Sequence, residues 1–231
     1  MCFSAEASFA GGIIITAIGV AVVTKVHKPS QILFACIPLF FGLQQFTEGV
    51  LWLTIPNPEY LGVQKFATYF FLFMADILWP ALIPLSVLLM EKDARKRKII
   101  WMLLIAGMTV SAYYATCLLF LHVTPQIFGY HIKYSTDFPK IPSIPVFILY
   151  LIASITPLFV SSIQRTHLLG VLMFLSCLVT AVFFTQYLTS VWCFFAALIS
   201  AVIFWILRDS KRKFKFDKLN LLKKTEDAVQ A

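Results

Sequence analysis

The chain has 231 residues, 60% hydrophobic and 13% charged, with 23 phenylalanines and a mean hydropathy of +0.85, a composition that leaves too little polar surface for a soluble domain of this size. Its net charge of +8 lies between apolar stretches, so it speaks for membrane orientation and anionic lipid headgroups, and against a nucleic-acid surface. The five cysteines, Cys2, Cys36, Cys117, Cys177 and Cys193, form no close pair, and four fall in or beside apolar stretches, which argues against a disulfide framework.

The opening Met-Cys-Phe-Ser-Ala-Glu carries no basic residue ahead of the first apolar stretch, so that stretch reads as a retained span and not as a cleaved leader. Spans are predicted at 8–24, 31–54, 66–90, 99–121, 143–163, 168–186 and 189–207. They are apolar on both alternations over about 17–25 residues, as helices across a core of about 30 Å require and barrel strands do not. The fold class is therefore an all-α membrane protein, a seven-transmembrane-helix bundle over 1–207 with a basic tail over 208–231. The loop from His122 to Pro142 holds three prolines, one glycine and two histidines, and reads either as a lid or as a connector. From Leu168 to Leu207 no charge, no proline and no glycine after Gly170 marks a turn. That stretch would be about 60 Å of helix, or two crossings, and the reversal is placed at Thr185-Gln186-Tyr187. In the tail, Phe216, Leu219 and Leu222 fall at helical spacing among lysines, as in a short interfacial helix or a frayed stop-transfer cluster.

Charge orients the bundle. With the N-terminus outside, sixteen of the 19 basic residues, among them Lys25, Lys28, Lys92, Arg95, Lys96, Arg97, Lys98, Arg165 and those of the tail, fall in the cytoplasm, and only Lys65, Lys133 and Lys140 fall outside. The expected location is the plasma (inner) membrane, multi-pass, with the C-terminus cytoplasmic and anionic headgroups as partners of the basic loops and tail.

Of the eleven acidic residues only Glu48 and Asp76 lie inside spans. Either would cost about 2.5–3.5 kcal/mol facing lipid, so each should face the bundle interior. At 1.5 Å per residue Glu48 lies about 9 Å, and Gln44 and Asp76 about 15 Å, below the outer end. Gln44, Glu48 and Trp52 recur at intervals of four on one helix face, with Gln45 beside them. The third span adds Tyr69 and Pro80, the fourth Thr109, Tyr113, Thr116 and Cys117, and the seventh Ser190, Trp192 and Cys193. The ligand-binding candidates are Glu48, Asp76, Gln44, Gln45, Tyr113 and Trp52, around an outward-facing pocket. A carboxyl so placed is suited to exchanging a proton or holding a cation, while the Gln and Tyr residues equally suit interhelical hydrogen bonds.

The cysteines admit two other chemistries. Cys2, Cys117 and Cys193, with Met74, His122 and His131, would offer soft ligands to Cu(I) or Zn, but no CxxC, HxxxH or HExxH spacing supports it, and neither metal nor cofactor is expected. Removal of Met1 would expose Cys2 beside its own α-amino group, the pairing used by N-terminal nucleophiles, which makes Cys2 the candidate catalytic residue of an intramembrane enzyme.

The opening MCFSAEASF and the QQFTEGVLW of the second span resemble a family of uncharacterised bacterial and archaeal integral membrane proteins. The resemblance implies that Cys2, Ser4, Gln44, Gln45, Glu48 and Trp52 matter, and implies no reaction or ligand. The retinal proteins' lysine in the last helix, the late HxxxH of ceramidase-like hydrolases and an intrahelical Pro-Gln pair of small carriers are all missing here. The expected function is binding or transport of a proton, cation or small polar ligand. The alternatives are an intramembrane enzyme acting on a lipid-like substrate through Cys2 or a carboxylate, and a sensor or assembly subunit without chemistry.

Overall fold

The computed structural model describes residues 4–207, the side chains of 140–143 and 185 excepted. Cys2 and the tail with Phe216, Leu219 and Leu222 lie outside the described residues.

Ser4 starts the first helix, α1 (Ala5–Val23), by accepting the Ala7 N–H on its Oγ at 3.2 Å, which satisfies one of the orphan donors of a helix start. A 3-10 turn Pro29–Gln31 and a helical turn Ile32–Ala35 lead into α2 (Ile37–Thr54), antiparallel to α1. Their seam is set by glycines. A Cβ on Gly19 would lie 2.9 Å from the Leu39 backbone nitrogen, and one on Gly42 3.2 Å from that of Thr16. Such close backbone approach is a frequent contact in membrane bundles, where dispersion has to do what the hydrophobic effect does in water.

The third rod begins eight residues before the expected 66, because Pro58–Tyr60 forms a 3-10 turn with proline in its first position and feeds directly into α3 (Leu61–Leu72). A π-helical segment, Phe73–Leu78, joins α3 to α4 (Trp79–Met90). Asp93 caps the next helix, α5 (Ala94–Phe120), accepting from the Arg95 and Lys96 N–H groups at 2.9 and 3.0 Å.

The long loop amends the all-helical expectation. Val123–Phe128 (β1) and His131–Thr136 (β2) pair antiparallel around Gly129, whose φ of 59° at the first central position fits a type II′ turn. Val123, Pro125, Ile127, Ile132 and Tyr134 alternate inward, with Ile132 fully buried in a cluster that includes Leu51, Phe71, Leu72 and Cys193. Tyr134 stacks on Phe71 at 5.1 Å and His131 packs on Phe184 and Tyr187. The hairpin thus packs over the end of the bundle.

Three further helices follow: α6 (Lys140–Val160), α7 (Gln164–Phe183) and α8 (Leu188–Ser200), the last within an apolar stretch running to Leu207. The chain turns between α7 and α8 in a 3-10 turn at Thr185–Tyr187, where the unmarked reversal was placed. Among the described residues six helices are long and apolar enough to cross a membrane, while α6 supplies the shorter apolar helix Ile144–Val160. Around an apolar core, the distribution of polar and apolar side chains departs from that of a soluble protein. Ser8, Gln44, Gln45, Glu48, Ser154, Thr180 and Ser190 are buried, whereas Ile13, Phe66, Met108, Phe174 and Phe183 face outward. Apolar area exposed over the full height of a bundle marks a lipid-facing surface, and the chain is a multi-pass membrane protein.

The end opposite the hairpin is tied by Glu91. Its Oε1 accepts the Lys92 and Asp93 N–H groups at 2.8 and 2.9 Å, and its Oε2 accepts that of Ser162 at 2.6 Å, joining the α4–α5 turn to the α6–α7 turn. Burial pushes this carboxyl upward, but the hydrogen bonds from Asp93, Ser162 and Lys92 together outweigh it and hold Glu91 below the usual glutamate range. The Arg165 guanidinium lies 4.1 Å over the Trp205 ring.

Candidate functional site

The site grows from a local conflict in the third rod. Proline has no N–H, so Pro80 leaves the carbonyl one turn earlier without its backbone donor, Asp76 in an α register and Ala75 in a π register. The chain adopts the π form over Phe73–Leu78, and side chains from neighbouring helices supply donors: the Tyr150 hydroxyl donates to the Ala75 carbonyl at 2.7 Å and the Ser111 hydroxyl to that of Ile77 at 2.7 Å. Pro84 leaves the Pro80 carbonyl in the same position, and that oxygen points at Gly107, where any side chain would collide with it. The segment carrying Asp76 is thus fixed from α5 and α6. π-bulges of this kind occur frequently at functional sites.

Behind it lies a polar seam between α2 and α8. Fully buried Gln44 accepts the Trp79 indole N–H at 3.1 Å on Oε1 and donates to Cys193 Sγ at 3.2 Å through Nε2. One turn on, equally buried Glu48 accepts the Ser190 hydroxyl on Oε1. Cys193 lines the same cavity as Asp76.

Two cavities meet at this seam. One is lined by Ala75, Asp76, Tyr114, Phe147, Tyr150, Leu188, Thr189, Trp192 and Cys193. The other, far smaller and apolar, is lined by Phe41, Trp79, Ile83, Tyr150, Ser154, Met173, Trp192, Cys193 and Ala196. Tyr150, Trp192 and Cys193 form the wall common to both. The Asp76 carboxyl faces the first cavity, and no described residue hydrogen-bonds it. The Trp192 indole N–H and the Ser154 hydroxyl are buried without a partner among the described residues.

Of the residues singled out in the sequence, Asp76, Trp192 and Cys193 line a cavity, and Gln44, Glu48 and Ser190 stand directly behind it. Gln45 is fully buried, and Trp52 packs in the cluster beneath the hairpin with its indole N–H unpartnered among the described residues. Tyr113 lines neither cavity. Its ring stands edge-on to Tyr114 at 5.4 Å, and Tyr114 is the one at the cavity wall. Thr109 and Thr116 are exposed and bond back to their own helix. Tyr69 reaches toward the Leu121 carbonyl at 3.4 Å, away from Asp76. Sequence reasoning missed Tyr114, Tyr150, Ser154 and Thr189. The run Phe147, Tyr150, Ser154 at steps of three and four was a readable signal that one face of α6 turns inward.

The chemistry of this arrangement is that of a carboxyl without a counter-charge, in a cavity walled by aromatic rings. Among the described residues no Lys or Arg lines either cavity. Among the described residues no three His, Cys, Asp or Glu side chains gather as a metal set. No curated protein and no solved structure matches the chain. Residues 1–217 match the family of unknown function DUF6629, and the chain belongs to that family.

Proposed function

We propose that the protein is a seven-span membrane protein of the plasma membrane that binds or transports a proton, cation or small polar ligand through the cavity at Asp76, with the hairpin end outside and the basic end in the cytoplasm. The carrying observation is the Asp76 carboxyl, facing a cavity from a π-helical segment with no described residue hydrogen-bonded to it. Orientation is supported by charge: Lys25, Lys28, Lys92, Arg95–Lys98 and Arg165 gather at the end opposite the hairpin, and anionic headgroups are their partners. In this reading Asp76 contacts the ligand, while Gln44, Glu48 and Ser190 hold the wall formed by Cys193 and Trp192.

The test is binding and flux in proteoliposomes, with protons, sodium and tetramethylammonium as probes. Asp76→Asn abolishes the response to any probe the wild type binds and leaves the melting temperature within a few degrees. Glu48→Gln weakens the response and lowers the melting temperature together, because it disturbs the Ser190 contact. A wild type that responds to no probe, or an Asp76→Asn variant that responds normally, overturns the proposal.

A further inference from the structure

The size and the oxygen supply of the cavity at Asp76 both limit what it holds. Its volume is about 80 Å³, space for about two or three water molecules at about 30 Å³ each, where pockets for organic ligands measure about 300–1,000 Å³. Asp76 is the one charged residue of the described lining, and Tyr114, Tyr150 and Thr189 are its residues with hydroxyls. A metal cation held in so small a space has to exchange water for protein oxygens, and divalent cations take about six or more. One carboxylate and three hydroxyls give five at most. Unwound carbonyls help to hold sodium in broken transporter helices. In this π segment, however, the Ala75 carbonyl already accepts the Tyr150 hydroxyl and the Ile77 carbonyl the Ser111 hydroxyl, both at 2.7 Å. A proton asks for less: one acceptor, and a path of water or hydroxyl groups that both donate and accept. Asp76 is that acceptor, with no described residue hydrogen-bonded to it, and Asp76, Tyr114 and Thr189 are all half-buried around the same space. Carboxyls inside membrane spans are characteristic members of proton relays.

We infer that the ligand bound at Asp76 is the proton. A hydronium in the cavity transfers H⁺ to a carboxylate oxygen of Asp76: one O–H bond breaks as the other forms, and the products are water and a neutral carboxyl. The reverse step returns the proton to water. This rests on the cavity at Asp76 being the binding site, and it narrows the ligand from a proton, cation or small polar molecule to the proton alone.

The experiment is infrared difference spectroscopy of the full-length protein in proteoliposomes, titrated from alkaline to acid and read on the C=O band of the protonated carboxyl. The titration is repeated with sodium, and separately tetramethylammonium, raised from millimolar to near-molar at constant ionic strength against a bulky organic salt. A carboxyl band is expected to grow on acidification, to vanish in Asp76→Asn and to change position in Asp76→Glu. Its midpoint is expected to stay put as either cation is raised. A cation that binds at Asp76 competes with the proton, so by mass action the midpoint falls by about one pH unit for each tenfold rise once that cation saturates. Such a fall overturns the inference and leaves the cation-binding reading standing. No Asp76-dependent band at any pH overturns the inference, and with it the wider reading where Asp76→Asn also leaves the response to every probe in proteoliposomes unchanged. The sodium and tetramethylammonium series need only the wild type, so they stand even where a variant fails to fold.

Discussion

Replacing Tyr150 by Phe removes one hydroxyl and keeps the ring, so it isolates the bond that holds the π segment open. That hydroxyl donates to the Ala75 carbonyl at 2.7 Å. Interhelical hydrogen bonds in membrane bundles contribute about 0.6 kcal/mol on average and up to about 1.7 kcal/mol. This one serves a carbonyl that Pro80 leaves without a backbone donor, so the upper part of that range applies, and Tyr150→Phe is expected to cost about 1–1.5 kcal/mol. Ser111→Ala is expected to cost less, about 0.5 kcal/mol, because Ser111 divides its hydroxyl between Ile77 at 2.7 Å and Gly107 on its own helix at 2.9 Å. With both donors gone the segment can relax toward an α register, and losing the extra residue of a π turn rotates what precedes it by about 100° relative to α4. That swing takes Asp76 out of the cavity. The assay is denaturant unfolding in mixed micelles alongside cation binding. The double variant is expected to lose about 2 kcal/mol of stability and at least tenfold in binding. Unchanged binding in a destabilised double variant would refute the argument, since the π register would then not be what aims Asp76.

Helix packing and the Glu91 carboxyl each set further expectations. Gly107→Leu forces α5 away from the Pro80 carbonyl and should destabilise the bundle by about 1–3 kcal/mol, read as a fall in melting temperature. Gly42→Leu should separate α1 from α2 to a similar extent, and Gly62→Leu, where a Cβ meets nothing, should leave melting unchanged. For Glu91 the folded carboxyl lies below its unfolded value. Its stabilisation is therefore complete above the unfolded glutamate value of about 4.3 and is lost as pH falls through the folded value. Melting temperatures from pH 7 downward should drop along that acid limb in the wild type, with a shallower drop in Glu91→Gln.

Which parts of this site were legible in the sequence follows from where each signal resides. Spans are local averages of hydropathy, and the Gln44, Glu48, Trp52 face is a local periodicity, so both could be read directly. The Ser190–Glu48 contact joins residues 142 positions apart, and periodicity shows only that each faces inward. Tyr113 and Tyr114 are about 100° apart on one helix, and the sequence does not tell which turns to the cavity; packing chose Tyr114. The π segment arises from Pro80 together with donors on two distant helices, Ser111 and Tyr150. Proline alone predicts a kink, and the donors decide its form. The hairpin's alternation of Val123, Pro125 and Ile127 against Ile132 and Tyr134 is present in the sequence, but a proline within the run and the glycine beside it weaken the strand signal.

The central claim is a cation-selective cavity open toward the hairpin end, and Thr189, which lines it, tests this most directly. Thr189→Cys in intact cells is treated with membrane-impermeant thiol reagents of matched size, one a trimethylammonium and one a sulfonate, against wild type as background for the native Cys193. The account predicts labelling from outside, at least tenfold faster with the cationic reagent, and loss of that preference when Asp76→Asn is added. Labelling confined to the cytoplasmic side, or equal rates for the two reagents, would contradict it.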